Sequence, residues 1–508
     1  MVARNTWGAR VGAALVAYAF VIALAPARPV AAFPVPSPVA AAPATAAAGA
    51  TVYLPNVTRM LGGPDGWQTP FIVQNIGNTD TDLEISFYGF SDGSLVTQRH
   101  VSALRPGTSF ADVPNNDTDL PANGQFAVVI VSTAAPVVSV VNEHQGTGDR
   151  AEALSYTGIS SGATKVSLPY VAKDLDGWLT TFIIQNVGTA PAYVDVALMK
   201  TPVQLVNGVP VPSLHLTRRI EPGRSGFVDP RGEPSIGAGQ YAATITADQP
   251  IAVVTNVHND APGVAAPRAY SYNGIADPGT KSFVPYLARN IDKIGRSSTL
   301  HVQNAGNKEA KPDLQFYRLG ETVRLDIPDF RATTNDPIPP GAVASIDFGA
   351  ENNFLDNMQT YTVTITGGTF AVLNATLTSG TALGFTAVSH PSAKLYLPNV
   401  TRQLGGFRGW TTPFFVQSAG ASGATVRWYR FSDGRLVYTQ TLGPFYDGRG
   451  VRVDPASIPQ LSNDPQYAVV IESTSAPLGL AAIVLEYAEG GDSAMAYEAF
   501  IGSPSPLP

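Results

Sequence analysis

Three tryptophans stand at matching places in this chain, Trp67, Trp178 and Trp410, each followed two residues later by a threonine (Thr69, Thr180, Thr412). An exposed indole is a platform for a sugar ring or for the apolar surface of a partner. The Gly-rich stretches Leu61 to Gly66 and Leu404 to Gly409 would leave room around two of them. The competing role is packing over the end of a core, and recurrence favours it, because a shared fold repeats its packing residues. Trp67, Trp178 and Trp410 are therefore the candidate ligand-binding residues, weighed against a structural role.

Acid–base chemistry has less to work with. Asp112, Asp229, Asp347 and Asp454 recur, as do Gln74, Gln185, Gln303 and Gln417, but no second acid recurs at a fixed offset. A lone carboxylate just after a strand caps a loop by accepting backbone N–H bonds. Asp117 and Asp119 resemble a fragment of a calcium loop without its glycine and distant bidentate acid. No Gly-x-Ser-x-Gly elbow is present, and the absence of cysteine excludes thiol chemistry and iron–sulfur clusters. No catalytic, cofactor-binding or metal-ligating residue is nominated, and the chain reads as a non-enzyme. A hydrolase with a dispersed site is the alternative, and it would carry a cleft carboxylate with a raised pKa.

These residues are positioned by a repeat. Leu54-Pro55, Leu168-Pro169, Val284-Pro285 and Leu397-Pro398 each open a block, and the prolines are 114, 116 and 113 residues apart. Each is followed by Val-Gln-Asn or a close variant, at 73–75, 184–186, 302–304 and 416–418. That period is a whole domain. The blocks are 51–164, 165–280, 281–393 and 394–502, with the third the most diverged. The first and fourth are the closest pair and share Leu-Pro-Asn-Val-Thr-Arg. His144 and His258 occupy equivalent places, where the third block aligns Thr376 and the fourth Tyr487. Lys165, Lys281 and Lys394 each lie four residues before an opening proline, and a lysine–asparagine amide bond to Asn186 or Asn304 is weighed against a solvated lysine on an edge strand.

Within a block, short β-branched and aromatic runs alternate with Gly, Pro and Asp turns, and no helical periodicity appears. The fold expected is all-β: four tandem antiparallel immunoglobulin-like β-sandwich repeats, with a β-propeller as the alternative. Apolar runs such as Ala127 to Val131 read as central strands. Short junctions favour a semi-rigid string, which end to end would reach about 120 Å.

Residues 1–32 carry Arg4, Arg10 and an apolar run closed by Pro26, the pattern of a secretory signal peptide. Residues 33–50 are an Ala/Pro-rich linker, and 503–508 a Pro-rich tail. A net charge of −7 with 14% charged residues gives no basic stripe, so nucleic-acid binding is excluded.

The Phe-x-Val-Gln-Asn-x-Gly strand and turn (Phe71 to Gly77, with relatives at Phe182 to Gly188 and Leu300 to Gly306) and the apolar hairpins after Gln125, Gln240 and Gln466 carry a resemblance. The blocks resemble the immunoglobulin-like repeats of bacterial secreted and cell-surface proteins, the broad group that includes CARDB-type adhesion-related domains. The resemblance implies extracellular display or adhesion. The expected function is a secreted structural or adhesive role at the cell surface or extracellular matrix. Partners would be a cell-envelope polymer, a glycan or another surface protein, with no membrane span after signal removal. The first alternative is a carbohydrate-binding accessory protein using the recurring tryptophans.

Overall fold

The first block shows how sequence becomes structure in all four. Its strands are β1 (Thr51–Arg59), β2 (Phe71–Asn75), β3 (Thr81–Gly89), β4 (Leu95–Leu104), β5 (Ser109–Asp112), β6 (Gly124–Ser132), β7 (Val137–Gln145) and β8 (Glu152–Thr157). They form two four-stranded antiparallel sheets, ordered β1-β6-β3-β4 and β5-β2-β7-β8. The apolar runs are β6 and β7, the interior strands expected from their composition, and Phe71, Phe87 and Phe126 fill the space between the sheets. The same order recurs in each later block; in the second, one long strand, Gly239–Asn259, does the work of β6 and β7 and joins both sheets.

The computed structural model describes residues 51–146, 151–206, 209–259, 267–291, 295–320, 328–350, 354–378, 380–406, 408–463, 465–488 and 494–501. The leader, the Ala/Pro linker and the C-terminal tail lie outside the described residues. Those described are all-β, and their helical elements are three-residue turns such as Pro114–Asn116 and Pro455–Ser457. No described helix is long and apolar enough to cross a membrane. The propeller does not form, because each repeat closes its own two-sheet core instead of dividing into blades.

Asparagine in the Gln-Asn pair fixes the turn after β2. Asn186 donates through Nδ2 to the carbonyls of Ala190 (2.8 Å) and Ile220 (2.9 Å) and accepts from the Gly188 amide (2.9 Å). Asn75 and Asn304 repeat all three bonds, while Ser418 manages two, to Ala421 O and from Gly420 N. We expect Asn186→Ala to cost about 3 kcal/mol in urea unfolding, because buried carbonyls lose their donor, and Asn186→Ser to cost about half as much.

The expected end-to-end string is not what forms. The first strand of each repeat packs across the β2/β7 sheet of the next, and the first strand of repeat 4, Lys394–Thr401, packs across that of repeat 1. Tyr396 Oη donates to Ile76 O at 3.1 Å, closing four sandwiches into a ring. Around the centre, β8 and its counterparts Arg268–Asn273, Ala382–Thr386 and Ala494–Glu498 lie against one another in turn. The positions they turn to their neighbours are small: Ala153, Ala269, Ala382 and Ala494, then Ser155, Ser271, Gly384 and Ala496. Close approach of four strands requires such residues. Core clusters accordingly cross each boundary; Ile183 and Val254 of repeat 2, for example, pack with the core of repeat 1.

Candidate functional site

Ring closure creates four seams, and strand register shows which residues face each other there. The residue after the opening proline is Asn56 in repeat 1, Tyr170 in repeat 2, Tyr286 in repeat 3 and Asn399 in repeat 4. Late in the β7 strand, aligned through its pairing with β2, stand Glu143, Val257, Thr376 and Glu486. Two seams are therefore polar and two aromatic.

In the seam between repeats 1 and 2, Asn56 Nδ2 donates to Glu143 Oε1 (3.0 Å) and Asn256 Nδ2 donates to Glu143 Oε2 (3.2 Å). Gln125 Nε2 donates to Asn56 Oδ1 (2.7 Å), and Ser271 Oγ donates to Asn256 Oδ1 (2.7 Å). The seam between repeats 4 and 1 repeats this chain residue for residue, as Gln466, Asn399, Glu486, Asn142 and Ser155. In the other two seams, Tyr170 packs at a tilt against His301 with centroids 4.5 Å apart and Tyr286 against Phe415 at 4.7 Å. The recurring glutamines serve closure as well. Gln303 Nε2 reaches Ala243 O of the preceding repeat (3.1 Å), and Gln417 Nε2 reaches Val363 O (3.1 Å).

Burial dominates the electrostatics. It pushes the Glu143 carboxyl up to about 7 against the Asn56 and Asn256 bonds and the nearby His258, and Glu486 up to about 8. The same cause pushes His144 down to about 4 and His301 down to about 3.

All three candidate tryptophans are half-buried and lie at seams. Trp67 meets the His258 ring edge-on at 5.4 Å, and Trp410 meets His144 at 5.7 Å. Trp178 lies under the Arg268 guanidinium (5.2 Å) and packs against a cluster that also takes Leu377. Leu377, rather than Thr376, is the counterpart of His144 in repeat 3, a correction that follows from strand pairing. Arg296 replaces the tryptophan in repeat 3 and sits 5.9 Å over Tyr487. Trp67 and Trp410 thus hold neighbouring repeats together, and Trp67 additionally lines open space.

That space is a cavity of about 280 Å³ in the seam between repeats 1 and 2. Asn56, Trp67, Gln125 and Glu143 line it from repeat 1, and Phe227, Asn256 and His258 from repeat 2. Leu61 and Trp67 also line a shallower depression of about 680 Å³, with Pro64, Asp65, Asn123 and Gln145.

Other sequence candidates resolve into structure. Asp229, Asp347 and Asp454 accept from the backbone amides of Arg231, Gly349 and Ala456, the expected loop caps. Asp112 and Asp117 instead share Arg99. The lysine–asparagine amide does not fit: Lys165 Nζ reaches Ala305 O (3.3 Å), Lys281 pairs with Asp447 (3.1 Å) and Lys394 with Glu472 (3.2 Å). Among the described residues, no group of three or more His, Asp or Glu side chains could hold a metal ion. Sequence reasoning missed Glu143 and Glu486, since no acid stands at their places in repeats 2 and 3; the shared Leu-Pro-Asn-Val-Thr-Arg of repeats 1 and 4 was the available signal. No protein-family model matches the chain, and a search of curated proteins finds no match.

Proposed function

We propose that the protein is an exported, non-catalytic ring that adheres to a cell-envelope polymer, a glycan or another surface protein. The observation that carries this reading is that closure sets equivalent loops of four repeats on one face. In repeat 1, β1 ends beside the start of β6, so the 60–70 and 113–123 loops share an end of the sandwich. Neighbouring repeats point the same way, since the Trp67 loop meets His258 and the Trp410 loop meets His144 at that end. Weak contacts from four such loop sets on one rigid body add through effective concentration. The signal-like leader and the lack of cysteine are consistent with export of a fold that relies on packing alone.

The test is co-sedimentation of the purified mature chain with insoluble envelope and matrix polymers. We expect retention that falls several-fold when the 61–66 loop is replaced, and further when the 404–409 loop is replaced as well. Retention by none of these polymers, or retention indifferent to both replacements, refutes the reading.

Glu143 gives the hydrolase reading one observation in its favour, a cavity carboxyl raised to about 7. Against it, glycoside hydrolysis uses two carboxyl groups facing the scissile bond. Among the described residues lining this cavity Glu143 is the one acid, and both its oxygens already accept amide bonds. Polysaccharide turnover abolished by Glu143→Gln would replace our reading with that one.

A further inference from the structure

We propose that the cavity between repeats 1 and 2 binds the neutral terminal unit of a glycan chain. This rests on the adhesive reading only in placing the protein where glycans occur. The chemistry of the walls selects the ligand class. Trp67 and Phe227 offer two apolar faces, and Phe227 is 47% exposed, unusual for an aromatic on a strand. Asn56, Gln125 and Asn256 supply amides, and Glu143, 1% exposed, forms the floor. A pyranose matches this mixture, with an apolar ring face and hydroxyls that both donate and accept.

Charged ligands fit less well. An anion would approach the Glu143 carboxyl, and the Arg231 guanidinium, which also lines the cavity, already holds Asp229 (2.7 Å). A cation would find a carboxyl whose two oxygens accept from Asn56 and Asn256. Near neutrality Glu143 is partly protonated, which equips the floor to donate as well as to accept.

Size and access give the binding mode. At about 280 Å³ the cavity lies just below the ~300–1,000 Å³ range of drug-sized pockets, room for one ring rather than several. Its inner side is walled by the buried Asn56, Glu143 and Asn256. Its outer neighbour, the depression of about 680 Å³, shares Leu61 and Trp67 with it and can take the following units. A chain therefore enters by its end.

The seam between repeats 4 and 1 has the same polar chain but lacks the second apolar wall. The counterpart of Phe227 there is Ala111, opposite Ile72 as Phe227 is opposite Ile183. The counterpart of Leu179 is Gln68, which is engaged with Asn115 (2.9 Å). The proposal is thus for one site.

The experiment is saturation-transfer NMR on the whole mature chain. Probes are glucose, galactose, mannose and N-acetylglucosamine against glucuronate and glucosamine, then linear maltohexaose against cyclodextrin. We expect at least one neutral pyranose to bind with a Kd near ~1 mM, about tenfold ahead of its charged relatives. With glucose among the sugars that bind, linear maltohexaose should bind at least as well as glucose and the ring-closed cyclodextrin should not. Phe227→Ala, which removes an exposed wall and no hydrogen bond, should weaken binding about tenfold with an unchanged unfolding midpoint. The proposal is overturned if no neutral pyranose binds at about 10 mM, if charged sugars bind equally, if cyclodextrin binds as the linear chain does, or if Phe227→Ala binds normally. Loop-mediated adhesion is read separately by co-sedimentation, so either idea can fail without the other.

Discussion

Raising the pH from about 6.5 to about 9 will strip several kcal/mol of stability from the ring, and Glu143→Gln with Glu486→Gln will abolish most of that loss. Both carboxyls have folded pKa values raised above the ordinary 4.5, to about 7 and about 8. A raised folded pKa means that the native state holds its proton longer than the unfolded chain. The contribution is complete below 4.5 and is lost as pH rises through the folded values. At one pH unit per 1.36 kcal/mol, the full losses are roughly 3 kcal/mol for Glu143 and roughly 5 for Glu486, of which roughly 3 kcal/mol in all falls above pH 6.5. Glu498, also raised by burial, contributes with the same sign.

The histidines run the other way. His144 and His301 are depressed from 6.5 to about 4 and about 3, so their contribution is present above 6.5 and is lost as pH falls through the folded values. Between about 4.5 and 6.5 two carboxyls and two imidazoles oppose each other, and stability should be nearly flat. Glutamine preserves shape at each seam, since Asn256 can turn its amide and Ser271 can accept as well as donate. The check is the unfolding midpoint of the wild type and the double variant across this range. An alkaline fall of equal size in both would show that the seams do not carry it.

The sandwich itself was legible in the chain, because interior strands must be apolar and turns must be Gly- or Pro-rich. The ring was not read, although its signal was present. β7 is buried along Val137 to Val141 without alternation, and we attributed such runs to central strands alone. A central strand of a free two-sheet sandwich still turns alternate side chains to water. Continuous burial needs a cover on the outer face, and here the cover is the first strand of the preceding repeat. The recurring glutamines carried the same message: Gln303 and Gln417 spend their amides on the repeat before them, which no isolated domain could supply. The tryptophans were placed correctly at the ends of strands, but Trp67 and Trp410 cover surface of the next repeat, at His258 and His144, whereas Trp178 lies against Arg268 and Tyr270 of its own. Only the pairing of seam residues, Asn with Glu and Tyr with His or Phe, lay beyond a linear reading, because it joins positions about 87 to 344 residues apart.

Gly384 should be the least replaceable small residue of the ring. Its counterparts are Ser155, Ser271 and Ala496, so the backbone there tolerates a side chain. A methyl group at Gly384 would lie 2.3 Å from Cδ2 and 2.9 Å from Cε2 of Tyr270. Tyr270, on the inner strand of repeat 2, is buried beside Trp178 (6.1 Å) and has no room to retreat. Its counterpart in repeat 1 is the smaller Leu154, so glycine in repeat 3 answers tyrosine in repeat 2. On backbone entropy alone, Gly→Ala in a strand stabilises by ~0.5–1 kcal/mol. We expect the opposite sign, a loss of about 3 kcal/mol in urea unfolding, because overpacking at a closed seam forces strands apart. Tyr270→Leu alone should cost about 2 kcal/mol by leaving a cavity. The pair Gly384→Ala with Tyr270→Leu should recover to within about 1 kcal/mol of the wild type, a coupling that independent sites would not show. If Gly384→Ala proves neutral or stabilising, the inner strands are not in the contact that closes the ring.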